Sequence, residues 1–350
     1  SRPGGRPLPY SRRGHQTSDR HEAPLQAGAR LLYGFAPMSA TFRTLVIANP
    51  RSGAALGRRR HAEFERSVRR VVSDVEFTET REAGDATKVA RAALRSGVEM
   101  IVALGGDGTH SEVVNGFFDD DGKPVAEGAV LAPFPGGTGG DFGKTLGFGR
   151  DPLELVPLLA DRATRPCDVG RLSYVDHGGR PAAGFFLNIA SFGLGGLVDE
   201  YVNRSSKMLG GRLSFGLATV RALARFRPQA VRLRLDGRHP VVRRISVVAV
   251  ANGRYFGGGM KIAPEARVDD GVFDVVTLEE MGLGDFLLRG RRVYRGEHVG
   301  MNRVTSEVAR RVEAEPVDSG EAVLLDVDGE APGRLPATFE VLPGPIRLKA

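Results

Sequence analysis

The sequence predicts two joined units: an α/β domain built on a parallel sheet with flanking helices, then a mostly antiparallel β domain. Three observations carry this. Between residues 43 and 135, apolar strand-like runs alternate with helical stripes, the pattern of a parallel sheet covered on both faces. Beyond about residue 166, short strand-like runs follow one another with turn residues between most of them. A chain of 350 residues is also long enough for two cores.

In order, "RTLVIAN" (43–49) is a buried-strand run, followed by the loop "PRSGAALG". Phe64, Val68, Val71 and Val72 then recur at helical spacing. "VEFTET" (75–80) fits a short strand. Asp85 stands where a helix N-cap belongs, and Ala86, Val89, Ala90, Ala93 and Leu94 form an apolar stripe ending at Gly97. "VEMIVAL" (98–104) is the next strand, "HSEVVNGFF" (110–118) a short helix and "GAVLAPFP" (128–135) a further strand. In the second half the strand-like runs are "DVGRLSYV", "GFFLNIASF", "AVRLRLDG", "ISVVAVANG", "GVFDVVTL" and "EAVLLDVDG", with helices expected only at 205–226 and 281–293. The expected boundary lies near Pro166.

Composition narrows the class. Hydrophobic residues make up 41% and charged residues 26%, as in an ordinary globular protein. The lone Cys167 excludes an intrachain disulfide and reads as packing, not chemistry. Residues 1–37 carry six arginines against two acids, are rich in Pro, Gly and Ser, and lack apolar periodicity. They are expected to be a disordered tail, an upstream extension ahead of Met38. No run approaches 18 apolar residues, so no membrane-spanning helix and a cytoplasmic location are expected.

The chemistry concentrates in "LGGDGTHS" (104–111), directly after a buried strand. Glycines between a strand and a helix let backbone N–H groups close on an anion without Cβ interference. Thr109 adds a hydroxyl, and Asp107 places a carboxylate where phosphates would sit. That acid fits if a divalent metal bridges it to phosphate, or if it handles a hydroxyl proton. The other reading is a tight turn with Asp107 as a helix cap. The motif is neither G-x-G-x-x-G nor a P-loop. "APFPGGTGGDFGKTLG" (132–147) repeats the logic with Thr138 and Asp141. Two such strand ends in one sheet would converge on one crevice.

These stretches, with "NPRSG" (49–53), "TREAGDA" (80–86), "NIASFGLGG" (188–196), "GGGMKIAPEARVDDGVFDVV" (257–276) and "DVDGE" (326–330), make the chain similar to the diacylglycerol kinase catalytic-domain family. Within it, the chain resembles the soluble bacterial lipid kinases, relatives of sphingosine and ceramide kinases. GGDG alone is shared with NAD kinases and phosphofructokinases; the ordered later motifs are not. The resemblance implies an α/β nucleotide-binding domain over 38–166, completed by about 333–350, and a β-sandwich lipid-binding domain over 167–332. ATP would lie between the lobes with Mg2+. Thr80, Gly105, Gly106, Asp107, Gly108, Thr109, His110, Ser111, Thr138 and Asp141 would form the nucleotide site, with Asp107 and Asp141 near the phosphates and their magnesium. Glu330 would take the proton from a lipid hydroxyl, with Asp107 as the second catalytic acid. A structural magnesium would sit on the Asp270 side chain and the backbone carbonyls of Arg267 and Val272, although "DDG" is also an ordinary hairpin turn.

The chain departs from that pattern at Ser111, where asparagine is usual, at Gly140, and at Lys144, often arginine. His110 reads as a helix-face residue, tempting as it is as a base. Between Asn203 and Arg244 eleven Lys or Arg residues face one acid, Asp236. That stretch (204–244) would favour an anionic membrane surface holding the lipid substrate. Nucleic acid is the rival partner for basic charge, but zinc-finger spacings and RNA-motif aromatics are missing; a solvated helix face is the third reading. A homodimer is an open expectation. Other acceptors, such as a sphingoid base or a polyol, and a non-catalytic nucleotide- or lipid-binding regulator, are the competing functions.

Overall fold

The computed structural model describes residues 41–52, 58–136, 140–194, 196, 227–280 and 290–350. The tail 1–37, Gly53, Gly137, Thr138, the expected helix at 205–226 and the 281–289 part of the one expected at 281–293 lie outside them; residues 290–293 of the latter are helical.

The first half is a parallel sheet. Strands β1 (Thr44–Ala48), β2 (Val75–Glu79), β3 (Met100–Gly105) and β4 (Val130–Pro135) stand in the order β2-β1-β3-β4, every neighbouring pair parallel. β1, β3 and β4 are buried along their whole length, which is why their sequences run apolar without alternation. Helix α1 (Arg58–Val71) presses Phe64 and Val68 onto the sheet, with Phe64 edge-on to Phe134 at 6.3 Å between ring centres. The 3-10 segment Pro152–Ala160 covers the same face through Leu155, Val156 and Leu159. Helix α2 (Asp85–Arg95) buries Ala86, Ala90 and Leu94 on the other face, the four-residue spacing of an amphipathic helix. Its cap is Gly84, in the left-handed region at φ 80°, so Asp85 is the first helical residue and not the cap. The Asp85 carboxylate instead accepts the Arg81 N–H at 3.0 Å.

Helices α3 (Asp107–Gly116) and α4 (Asp141–Thr145) lead into the second half, an antiparallel system of β5 (Arg165–Asp176), β6 (Pro181–Phe186), β7 (Ile189–Gly193), β8 (Gln229–Leu235), β9 (Val241–Ala251), β10 (Phe273–Glu279), β11 (Val304–Ala309), β12 (Arg311–Pro316), β13 (Leu325–Val327) and β14 (Gly333–Leu348). "GFFLNIASF" is split into β6 and β7 at Leu187 and Asn188. β11 and β12 escape a reading based on apolar runs because charged side chains alternate with buried Val304, Ala309, Val312 and Ala314. β14 contains Pro336, Pro343 and Gly344, which read as breakers; two register shifts against β5, at 334/338 and 342/346, absorb them. Phe186, Phe192, Phe273 and Phe339 form the aromatic centre of this half, at 5.5 to 6.4 Å between ring centres.

β14 ties the halves together. It pairs antiparallel with β5 and β12, and its end runs parallel to β4 through Arg347–Val130 and Leu348–Leu131. The described strands therefore form one mixed sheet network. Cys167 is buried on β5, where desolvation pushes its thiol well above the ordinary value, consistent with a packing role.

The basic stretch looks different once folded. Arg232, Arg234, Arg238, Arg243 and Arg244 meet Glu315, Glu313, Glu307, Glu279 and Glu280 at 2.5 to 3.7 Å. The acids come from or border β10, β11 and β12, so the local charge excess is met across strands. Only the portion before residue 227 keeps the sequence argument for a membrane, and it lies outside the described residues.

The end of β14 is fastened by Lys349, buried to 2% exposure, whose ammonium donates to Asp161 Oδ1 at 2.6 Å and to the Asp161 and Ala163 carbonyls. The hydrogen bond from Lys349 holds the Asp161 carboxyl below its ordinary 3.8. A depressed carboxyl stabilises the fold above the unfolded value and loses that contribution as pH falls through the folded one. Thermal midpoints of the wild type and Asp161→Asn are expected to differ at neutral pH and to converge below about pH 4; parallel curves would refute the pairing.

Candidate active site

The site begins where β3 ends. α3 starts at Asp107, three residues ahead of the predicted "HSEVVNGFF", so the glycine motif is itself the first turn of the helix, with Gly106 as its extended cap. A Cβ on Gly105 would lie 2.4 Å from the Thr109 side chain, and one on Gly136 2.9 Å from Gly105 N. Only glycine permits the sharp strand-to-helix bend and the backbone-to-backbone approach of the two loops. Gly136 N–H donates to Gly105 O at 2.8 Å. The loop after β1 joins them: Asn49 Nδ2 donates to Thr109 Oγ1 at 3.0 Å, and Ser52 Oγ to the Asn49 and Gly136 carbonyls.

Asp107 is held by backbone donors. Its Oδ2 accepts from Gly140 N at 2.9 Å and Asp141 N at 3.3 Å, and its Oδ1 from Phe142 N at 3.4 Å. It is a cap, but of α4 and not of its own helix. The carboxylate occupies the N-terminal position that attracts anions, and in doing so it draws the second glycine loop onto the first.

Asp141 continues the connection into the second half. Buried to 4% exposure, it binds Lys144 Nζ at 2.6 Å through Oδ1 and accepts Gly258 N–H at 2.8 Å through Oδ2. Thr145 Oγ1 accepts Arg254 N–H at 2.9 Å. Asn188 then holds the same loop from the other side, Nδ2 donating to Tyr255 O at 2.8 Å and its carbonyl accepting from Asn252 and Gly253.

Glu330 arrives from far along the chain. Val327 and Glu330 exchange N–H···O bonds at 2.8 and 3.0 Å around Asp328 and Gly329, at φ 52° and 87°. Two left-handed central residues define the primed turn for which Asp-Gly is suited. The turn sets Glu330 Oε1 3.1 Å from the position of a Cβ on Gly108. The late carboxylate thus stands against the glycine motif, solvent-exposed on its outer side. Asp328, unremarked in the sequence, is 6% exposed and accepts three backbone N–H groups, from Leu187, Asn188 and Ile189, at 2.8 to 3.0 Å. Burial pushes its carboxyl up to about 7, against the pull of those donors and with some help from the Asp107 charge.

His110 is buried to 2% exposure, its Nε2 3.2 Å from Phe134 O, and desolvation lowers its pKa. That suits a neutral ring holding α3 to β4. Ser111 is buried beside it. Thr80 lies farther out: its N–H donates to Ala48 O at 2.9 Å, and it borders a cleft of about 520 Å³ at the ends of β1 and β2, lined also by His61, Phe77 and Arg81.

The expected structural-metal loop is held by a residue that the sequence reading passed over. Asp168 accepts Gly271 N–H at 2.6 Å and Gly344 N–H at 2.8 Å, and burial raises its pKa, with Asp270 and Asp269 adding to the rise. Asp270 Oδ1 faces Val272 N at 3.4 Å, and Arg267 pairs with Asp269 at 3.2 Å. Among the described residues no group of three or more His, Cys, Asp or Glu side chains is arranged to hold a metal. Carboxylates and carbonyls are nonetheless the hard oxygen donors that Mg2+ takes, usually with several waters, so neither Asp107 with Asp141 nor the Asp270 loop is at odds with it.

Asp107→Ala is expected to cost about 1–2 kcal/mol, since three α4 donors lose their acceptor. Denaturant unfolding checks this; an unchanged midpoint would deny the capping role.

Comparison with known proteins agrees with this geometry. Residues 43–172 match the family model for the diacylglycerol kinase catalytic domain, and residues 188–350 that for the YegS C-terminal NAD kinase beta sandwich-like domain. The chain is 31% identical over 299 residues to a diacylglycerol kinase of Bacillus subtilis, covering 85% of this chain and 92% of that protein. It is 31% identical over 270 residues to a probable lipid kinase YegS-like of Xanthomonas euvesicatoria, covering 77% and 84%. A crystal structure of a diacylglycerol kinase from Bacillus anthracis superposes with a TM-score of 0.64 at 25% identity, covering 89% of this chain and 97% of that one. A nucleotide-type α/β half, a sandwich-like β half and the relatives that share both lead to one conclusion: this chain belongs to the diacylglycerol kinase family and is a lipid kinase acting on an alcohol acceptor.

Proposed function

We propose that the protein transfers the γ-phosphate of ATP, with Mg2+, to the free hydroxyl of a lipid such as diacylglycerol. The reading rests on one juxtaposition above all, Glu330 Oε1 against Gly108 at the start of α3. Phosphoryl transfer asks for positioning and charge neutralisation more than covalent chemistry. The backbone of Gly105 to Ser111 presents the phosphate cradle, with Thr138 from the second loop. Thr80 and its cleft take the far end of the nucleotide. Asp107 and Asp141 would hold Mg2+, which neutralises phosphate charge when bound. Lys144, fixed on Asp141 at 2.6 Å, adds a cation at the same place. An alkyl hydroxyl is a poor nucleophile near neutral pH, and Glu330 stands ready to accept its proton as the phosphorus–oxygen bond forms.

The nucleotide lobe would comprise residues 38–166 with 333–350, and the lipid lobe 167–332. Asp270 with the Arg267 and Val272 carbonyls would bind a second, structural Mg2+. The lipid would be collected at a membrane surface. Among the described residues no helix is long and apolar enough to cross a bilayer, and the basic residues before 227 supply the attraction.

Glu330→Gln is expected to lose phosphoryl transfer by about 100-fold or more while still binding ATP. Mass spectrometry of the phosphorylated product from a total lipid extract checks this and names the acceptor. Full turnover in that variant would remove Glu330 from the mechanism. Binding to anionic vesicles is expected to weaken between low and high salt; salt-independent binding would refute an electrostatic contact.

A further inference from the structure

The clasp around Asp328 is unused by the mechanism above. Its backbone sits at φ 52°, its N–H donates to Ile189 O at 3.0 Å, and its two carboxylate oxygens collect the Leu187, Asn188 and Ile189 amides. A primed turn does not require this. Asparagine adopts the same left-handed conformation and forms the same Asn-Gly turn. Three converging N–H groups do discriminate, because both oxygens of a carboxyl group can accept, whereas an amide would turn an NH2 toward a donor. Burying a carboxylate is costly unless it is hydrogen-bonded, so the acid is there for the clasp.

The segment it grips is itself anchored. Asn252 Nδ2 donates to Leu187 O at 2.7 Å, and Asn188 Nδ2 to Tyr255 O at 2.8 Å. Gly258 in the same loop donates to Asp141, at the start of α4, which Asp107 caps. A run of hydrogen bonds and short backbone segments therefore leads from the Asp328 turn through 187–189, the 252–258 loop and α4 to Asp107, whose neighbour Gly108 faces Glu330.

We propose that Asp328 is a positioning residue for phosphoryl transfer: its amide-clasped carboxylate fixes the turn that delivers Glu330 to the glycine motif. This rests on the reading of Glu330 as the base. Misplacing a reacting group by about 1 Å costs on the order of 100-fold.

The test compares Asp328→Asn, Glu330→Gln and the double variant with the wild type, using ATP, Mg2+ and diacylglycerol in mixed micelles, with thermal midpoints and ATP binding measured alongside. Asp328→Asn is expected to lower kcat by about 10- to 100-fold, leave KM for ATP within about twofold, and lose nothing further in the Glu330→Gln background. Gly329→Ala is the second variant, because a Cβ there meets nothing within 4 Å and strains only the turn at φ 87°; it must show the same Glu330-dependent loss of kcat. Unchanged kcat in either variant, an equal further loss on top of Glu330→Gln, or a loss confined to KM for ATP would overturn the inference. Wild-type turnover in Glu330→Gln would instead overturn the base assignment beneath it.

Discussion

One carboxylate holds this architecture at its centre. Asp107 opens α3 just beyond β3, and its oxygens accept the first amides of α4. The Gly136–Gly105 bond joins the two glycine loops at their strand ends; Asp107 adds α4, which carries Asp141, and Asp141 reaches Gly258 in the second half. A relay of acid-to-amide contacts thus links the halves at the candidate site, beside an apolar seam in which Phe118 stacks on Phe185 at 4.0 Å between ring centres.

The same device recurs. Asp141, Asp168 and Asp328 are all buried, and each accepts from backbone N–H groups distant in sequence. Asp168 joins β5 to Gly271 and to Gly344 within β14. Backbone donors are fixed in direction and carry no rotamer entropy of their own, so a buried acid surrounded by them is both satisfied and oriented. Aspartate serves here as mortar between loops whose glycines have no side chains with which to pack.

Much of this was legible in the residues. The unbroken apolar runs of β1, β3 and β4 announced a covered parallel sheet, and the two glycine motifs announced converging strand ends. The ordered motifs pointed to Glu330, whose carboxylate lies beside Gly108 in the fold. What escaped was governed by distant partners. Asp168 and Asp328 are single acids within strand-like or turn-like stretches, and nothing local separates them from solvated ones. β11 and β12 were hidden by their own charges, and those charges answer the arginines of β8 and of the turn after it, while Glu279 and Glu280 at the end of β10 answer those of β9, which is why the basic stretch read as more positive than the folded surface is. Asp85 missed its cap by one residue because Gly84 takes the left-handed position more cheaply.

The long β14 strand has an implication for how the molecule is made. β4 stays an open edge until Arg347 and Leu348 arrive beside Val130 and Leu131, on the order of two hundred residues later. Exposed edges invite pairing with other chains during synthesis. β4 carries Pro133 and Pro135, just past the short stretch that β14 eventually covers, and residues without an N–H make a poor template for a stray strand. A strand that waits so long for its neighbour thus offers few amides for another chain to take up beyond Leu131.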